Sequence, residues 1–402
     1  MLEATRVISV LVVDDSVVIR RLITDALGED PEIRVVGTAP NGRVALMKIE
    51  QLRPDLITLD IEMPIMNGIE TLRAIRQVNA RLPVIMFSTL TASGATATLD
   101  ALAAGASDYV TKPANVGSVA ESIRSVREQI IPRIHALCSR PGLRAPLRTL
   151  NGAPAAFARP PIGAPPGVPQ VPVPVRPAPF GSPGAVPAAP GPGVVARPRG
   201  DRIDVIAVGC STGGPDALSR VVRALPAALA VPIVVVQHMP PVFTKMFADR
   251  LDRTTNLTVV EAVSDMPVKA GTVYIAPGDH HMEVTRRGAD VFTKLQSGPP
   301  ENFCRPAVDV LFRSVARVYG AATLAVILTG MGQDGKKGAE ALRTSGAEIV
   351  AQDEASSVVW GMPGAVASAG LANAVLGLDD IARHLITRPA GGRGAKPMEV
   401  TR

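Results

Sequence analysis

The apolar and polar positions divide the chain into two alternating segments separated by one without periodicity. Residues 6–13 (Arg6-Val7-Ile8-Ser9-Val10-Leu11-Val12-Val13) form a short β-branched run that stops at Asp14-Asp15. A helical spacing of apolar residues follows from Val18 to Leu27. Strand-like runs recur at Arg34–Gly37, Leu56–Leu59, Val84–Phe87 and Ser107–Val110, with helical stretches between them and an amphipathic closing helix over 116–137. A second series begins near Ile203, with strands expected at Asp204–Val208, Pro232–Val236, Thr272–Ile275, Ala325–Leu328 and Glu348–Ala351. Strand and helix alternating at this spacing predict parallel sheets covered by helices on both faces. The fold class is therefore α/β, with two doubly wound parallel-sheet domains at 1–138 and 202–388. A linker spans 139–201, and residues 389–402 read as a disordered tail.

Composition explains the linker. Residues 141–200 hold 17 of the chain's 37 Pro, six Arg and no Asp or Glu. Such text cannot bury enough apolar surface to offset its ordering entropy, and its prolines keep it semi-extended. It carries the whole formal charge of +6, whereas residues 1–140 hold 15 basic and 16 acidic groups and residues 201–402 hold 21 and 20. The basic balance thus gives no folded face for nucleic acid. Aromatic residues are 3 %, too few for a base-stacking platform. No apolar run approaches the roughly 20 residues of a membrane span, and residues 1–6 lack signal-peptide architecture. Cys138, Cys210 and Cys304 are too far apart for a zinc site or a disulfide framework. A reduced, cytoplasmic setting, without membrane insertion, is the expectation.

Ligands of parallel sheets bind beyond the carboxyl ends of the strands. In the first domain those ends carry Asp14 and Asp15, Asp60, Ser88-Thr89 and Lys112-Pro113. Carboxylates meeting at one sheet edge repel unless a hard cation such as Mg²⁺ joins them. A lysine and a hydroxyl opposite suit phosphorylation of a carboxylate. Asp14 and Asp15 as simple helix caps would not account for the other three positions.

Residues 6–135 resemble a two-component receiver domain, a flavodoxin-like fold. The matching text is Val13-Asp14-Asp15-Ser16, Asp60-Ile61-Glu62-Met63-Pro64-Ile65-Met66-Asn67-Gly68 and Tyr109-Val110-Thr111-Lys112-Pro113. The resemblance implies Asp60 as phospho-acceptor, Asp14 and Asp15 as Mg²⁺ ligands beside it, and a metal contact from the Glu62 backbone carbonyl. It implies Lys112 as phosphoryl partner and Ser88 as switch hydroxyl, with Thr89 the neighbouring alternative.

In the second domain the strand at 204–208 runs into Gly209-Cys210-Ser211-Thr212-Gly213-Gly214-Pro215. A serine on such a turn lies near a helix N-terminus, where backbone N–H groups favour developing negative charge. It needs a base. The next strand ends at Gln237-His238, and a later one leads to Thr329-Gly330-Met331-Gly332-Gln333-Asp334-Gly335, giving a plausible Ser211–His238–Asp334 triad. Cys210 is a rival nucleophile, and His280 and His281 are rival bases that read equally well as surface residues after a turn. Gly330–Gly335 also fits the G-x-G-x-x-G dinucleotide pattern, and with Lys336 most of a P-loop, although Lys337 stands where the P-loop needs Ser or Thr.

Residues 203–385 resemble the catalytic domain of the chemotaxis protein-glutamate methylesterases, a Rossmann-like three-layer fold. Besides the three stretches above, the resemblance rests on Tyr274-Ile275-Ala276-Pro277-Gly278, Arg305-Pro306-Ala307-Val308-Asp309-Val310-Leu311-Phe312 and Ala351–Pro363. It implies Ser211 as nucleophile, His238 as base and Asp334 as its orienter. Thr212 would stand beside the nucleophile, and the Met331 N–H in the oxyanion site. Cys210 stands where Ala or Ser is usual, Trp360 where Tyr or Phe is commoner, and Lys336 where a small residue is usual. The implied activity is hydrolysis of glutamyl methyl esters on chemotaxis receptors, with deamidation of receptor glutamines by the same route and no cofactor for this step. A chemotaxis histidine kinase would phosphorylate the receiver, which otherwise covers the Ser211 face. A monomer is expected. The competing readings are a receiver fused to a nucleotide-binding domain and a non-catalytic output that acts by protein contact. A DNA-binding output finds no helix-turn-helix pattern in 201–402.

Overall fold

The computed structural model describes residues 7–113, 118–138 and 202–391. The linker expected at 139–201 and residues 392–402 of the expected tail lie outside them.

The first domain alternates β1 (Ile8–Val13), α1 (Val17–Gly28), β2 (Ile33–Ala39), α2 (Gly42–Leu52), β3 (Leu56–Asp60), α3 (Gly68–Val78), β4 (Val84–Ser88), α4 (Ala92–Ala103), β5 (Asp108–Thr111) and α5 (Val119–Cys138). Its five strands are parallel in the order β2-β1-β3-β4-β5. β3 and β4 are buried at every position, which is why they read as continuous apolar runs. Local chemistry starts the helices. Ser16, Asn41, Asn67 and Thr91 cap α1 to α4 with their side chains, and Asn67 forms a reciprocal capping box with Glu70.

The second domain runs β6 (Val205–Cys210), α6 (Gly214–Arg223), β7 (Ile233–Gln237), α7 (Phe243–Thr254), β8 (Thr258–Glu261), β9 (Thr272–Ile275), β10 (His281–Arg287), β11 (Asp290–Gln296), α8 (Val308–Tyr319), β12 (Thr323–Ile327), α9 (Lys336–Thr344), β13 (Glu348–Gln352), α10 (Met362–Ser368), β14 (Ala374–Leu376) and α11 (Leu378–Gly391). Seven parallel strands lie in the order β14-β13-β12-β6-β7-β9-β8, and β10 and β11 form a separate antiparallel hairpin. The two doubly wound parallel sheets agree with the pattern in the sequence. Three features differ from it. The short strands β8 and β14 sit at the sheet edges, and the hairpin spans a stretch read only as a turn. α11 continues through Pro389 to Gly391, so the first three residues of the expected tail are helical; Ile381, Ala382 and Leu385 bury one face of that helix.

Strand order places the candidate chemistry. In the first sheet the winding reverses between β1 and β3, where Asp14 and Asp60 emerge. In the second it reverses between β6 and β12, which lead to Ser211 and to the 329–335 loop. Such switch points open a crevice at the carboxyl ends of the strands.

Candidate active site and acidic pocket

β6 delivers Ser211 to a turn closed by bonds from Ser211 N to Thr329 O (3.0 Å) and from Gly214 N to Ser211 O (2.7 Å). Gly213 takes φ +74° as the α6 N-cap, a left-handed conformation natural to glycine. Gly330 is required for a different reason: a β-carbon there would lie 2.3 Å from Met362 Sδ and 2.9 Å from Ser211 Cβ. The glycine run after β12 therefore packs directly under the serine. Gln237, at the end of β7, donates to the Ser211 carbonyl (3.0 Å) and to the His238 carbonyl (3.1 Å), tying the two loops together.

His238 Nε2 lies 2.8 Å from Asp334 Oδ2, and the Asp334 side chain is 3 % exposed. Asp334 is satisfied further by the backbone N–H groups of Val308 (2.7 Å), Asp309 (3.0 Å) and Gly335 (2.9 Å). Burial opposes its ionisation, yet the His238 contact and these amides hold its carboxyl below the ordinary range. An ionised carboxylate only accepts, so Nε2 carries the proton and Nδ1 is the basic nitrogen. Cys304 Sγ stands 3.5 Å from that Nδ1. Burial disfavours the imidazolium, but Asp334 and Cys304 outweigh it and push the His238 pKa up to about 10. Ser211 and His238 line one cavity of about 250 Å³ without a hydrogen bond joining their side chains among the described residues.

Cys210, the rival nucleophile, is fully buried, and burial pushes its thiol well up. Of the rival bases, His280 is exposed. His281 is not the surface residue that its turn suggested: it begins β10, is buried, and spans the Pro299 carbonyl (3.0 Å) and the Ala307 N–H (3.1 Å).

The same cavity is walled by the first domain, through Asp108, Tyr109, Thr111, Gln129 and Arg133. Thr212 Oγ1 donates to Asp108 Oδ2 at 2.7 Å, and Arg133 pairs with that oxygen at 3.0 Å. Tyr109 stacks on Phe243 with ring centroids 5.0 Å apart and planes 5° apart. Arg250 pairs with Asp100 between α7 and α4. Val359 and Met331 pack into the apolar cluster that holds Ile130 and Ile134 of α5. Asp108 and Arg133, and the place of Cys304 beside His238, are not legible in the sequence, because these roles come from contacts across long separations.

At the other switch point Asp14, Asp15 and Asp60 offer ligand oxygens within 4.8 Å of one another. Lys112 Nζ is 2.8 Å from Asp60 Oδ1 and 3.1 Å from Asp14 Oδ2. Asp60 Oδ2 is buried without a hydrogen-bond partner. Burial raises the Asp60 pKa to about 6, with the Asp14 charge adding to the rise against Lys112. Two buried anions, one exposed anion and an oxygen without a donor form a donor set that fits Mg²⁺. Glu62 is exposed on the following loop. Ser88 is buried at the end of β4, where it accepts from Thr98 (2.6 Å) and donates to the Gly94 carbonyl (3.1 Å), so it is turned toward α4; Thr89 is exposed.

The profile of the CheB methylesterase family matches residues 206–385, and that of the response regulator receiver domain matches residues 10–124. A protein-glutamate methylesterase/protein-glutamine glutaminase of Nocardioides sp. is 54 % identical over 386 residues, covering 96 % of each chain. Its counterpart in Trichodesmium erythraeum is 45 % identical, covering 94 % of this chain and 98 % of its own. Among solved structures, the CheB methylesterase catalytic domain of Thermotoga maritima is 45 % identical, with a TM-score of 0.45, covering 46 % of this chain and 97 % of its own.

Proposed function

The chain belongs to the receiver-containing CheB methylesterase family, and from that premise we propose that it is a phosphorylation-activated protein-glutamate methylesterase and protein-glutamine glutaminase. The observation that carries this reading is the His238–Asp334 pair on the Ser211 cavity, walled on one side by the receiver.

The substrate is a γ-glutamyl methyl ester on a chemotaxis receptor. Asp334 holds the Nε2 proton of His238, leaving Nδ1 to accept the Ser211 proton as its oxygen attacks the ester carbonyl. Methanol leaves with a proton returned from His238, and water hydrolyses the glutamyl-enzyme by the reverse relay. Backbone N–H groups, Met331 among them, stabilise the oxyanion, each typically worth about 2.7–4 kcal/mol. Thr212 stands beside the nucleophile. A receptor glutamine reacts by the same route with ammonia leaving. No metal enters this step of the proposal.

Asp14, Asp15 and Asp60 would hold Mg²⁺, with the Glu62 carbonyl as the family resemblance implies. When bound, the ion offsets charge among the carboxylates and the incoming phosphoryl group. Asp60 accepts that group from a chemotaxis histidine kinase; Lys112 pairs with its oxygens and Ser88 turns toward it. Phosphorylation then releases the Asp108–Thr212 and Tyr109–Phe243 contacts, uncovering a mouth that a protein substrate must reach. A cytoplasmic setting suits such partners. No helix among the described residues is long and apolar enough to cross a membrane.

The test is methanol release from methylated receptor cytoplasmic fragments, with and without acetyl phosphate and Mg²⁺. Wild type should respond to the phosphodonor, Ser211→Ala should be inactive, and Asp60→Asn should keep only the unstimulated rate. Full activity in Ser211→Ala would overturn the triad reading.

A further inference from the structure

The loop between β11 and α8 holds no helix or strand beyond one Glu301–Cys304 bridge, yet it grips both ends of the His238–Asp334 pair. At the carboxylate end, Asn302 Nδ2 lies 2.8 Å from Asp334 Oδ1 and 2.9 Å from Asp309 Oδ2. Asp334 is 2 % exposed and Asp309 1 %, so two carboxylates share a site from which water is excluded. Like charges in such a site disfavour one another. A primary amide nitrogen carries two N–H donors, and here it spends one on each carboxylate.

The division of labour at Asp334 gives this bridge its meaning. Oδ1 takes Asn302 together with the Asp309 and Gly335 amides, while Oδ2 takes His238 and the Val308 amide. Among the described residues Asn302 is the one side chain on Oδ1, where it joins the Asp309 and Gly335 amides in setting the rotation of the carboxylate toward the imidazole. Asp309 is anchored independently, by the Gly338 N–H at 2.6 Å.

The loop is built to present that amide. Asn302 has φ +52°, a left-handed conformation that asparagine tolerates better than most residues, and Phe303 follows at φ +62°. Glu301 is clamped by Arg313 through two bonds of 2.7 and 2.6 Å, and Glu301 and Cys304 exchange backbone bonds of 3.1 and 2.9 Å. At the imidazole end, Cys304 Sγ meets Nδ1.

We propose that Asn302 is a positioning residue for ester hydrolysis: its amide bridges Asp309 and Asp334 and holds the Asp334 carboxylate in the rotation that fixes the His238 tautomer. The proposal rests on the Ser211–His238–Asp334 reading above.

The test uses the full chain, phosphodonor-stimulated, on methylated receptor fragments, with Asn302→Ala and the isosteric Asn302→Asp. Hydrogen bonds to charged groups are worth enough that each variant should lose roughly 10- to 100-fold in kcat, with KM within about twofold. The two should then part company with pH. The carboxyl introduced by Asn302→Asp regains one donor when it is protonated. The activity of that variant relative to wild type should therefore recover as pH falls, while that of Asn302→Ala stays flat. The His238 Nε2 proton, followed by NMR, gives a readout without turnover and should shift in Asn302→Ala. Unchanged kcat in both variants would overturn the proposal. So would a loss without the pH contrast and with an unshifted His238 signal, because a loop that merely maintains the fold predicts that outcome. Should Asn302→Ala not fold, the isosteric variant carries the pH test alone. Ser211→Ala, run alongside, separates the two claims: if it stays active the triad reading fails, whatever the Asn302 variants do.

Discussion

The Thr212 hydroxyl donates to Asp108 Oδ2 at 2.7 Å, which joins the residue after Ser211 to the first residue of β5 in the receiver. This bond is buried, and Arg133 shares its acceptor oxygen.

A buried hydrogen bond to a charged group contributes about 1.5–3 kcal/mol. Asp108→Ala removes the acceptor without touching the catalytic domain. We predict that its unphosphorylated methanol-release rate rises about tenfold or more, toward the phosphodonor-stimulated rate of wild type. A basal rate equal to wild type would mean that this contact does not hold the receiver in place.

The pH profile should report the His238 environment. A base works in its neutral form, and Asp334 and Cys304 favour the charged form of this one. The rate should therefore climb with pH along a limb above the ordinary histidine pKa of about 6.5. Cys304→Ala deletes one of the two groups that favour the imidazolium, so the limb should move to lower pH. A limb that stays put would show that the thiol has no hold on the ring, and one that moves up would show that the thiol favours the neutral ring instead.

Adjacent Cys210 and Ser211 should behave oppositely. Ser211→Ala is expected to lose at least about 10³-fold in kcat, as loss of a triad nucleophile does. Cys210→Ala deletes a buried sulfur under the turn, so its effect should appear as a lowered Tm while most of the activity survives. Thermal melts and initial rates on the same preparations check both.

Receiver and esterase chemistry should separate cleanly at Asp60. Asp60→Asn removes the proposed acceptor and should abolish stimulation by acetyl phosphate while leaving the basal rate within about twofold. Chelating Mg²⁺ from wild type should have the same effect. Stimulation that persists in Asp60→Asn would place the phosphoryl group on another residue.

Much of this arrangement is legible in the chain because strand ends are. Asp14, Asp60, Lys112, Ser211 and His238 each terminate or directly follow a short apolar run, and parallel-sheet geometry brings such positions to one edge. The β10–β11 hairpin is less legible, since its alternation is broken by Arg286, Arg287 and Asp290 at the turn. His281 looked like a turn residue because the groups that bury it, Pro299 and Ala307, lie 18 and 26 positions away. Asn302 and Cys304 sit in a stretch without periodicity, and the closure of that loop onto α8 and the loops after β7 and β12 gives their side chains partners. Asp108 reads as an ordinary strand start until the second domain stands against it.

β5 is an edge strand. Among the described residues it pairs with β4 alone, and it leads from Asp108 and Tyr109 at the catalytic domain to Lys112 at the acidic pocket. Displacing an edge strand disturbs one ladder of backbone bonds where an interior strand would disturb two, so this part of the receiver is mechanically soft. The same softness has a colloidal cost: an edge no longer shielded by a docked neighbour is a template for pairing with another chain. The released, active form is thus the one expected to self-associate as its concentration rises.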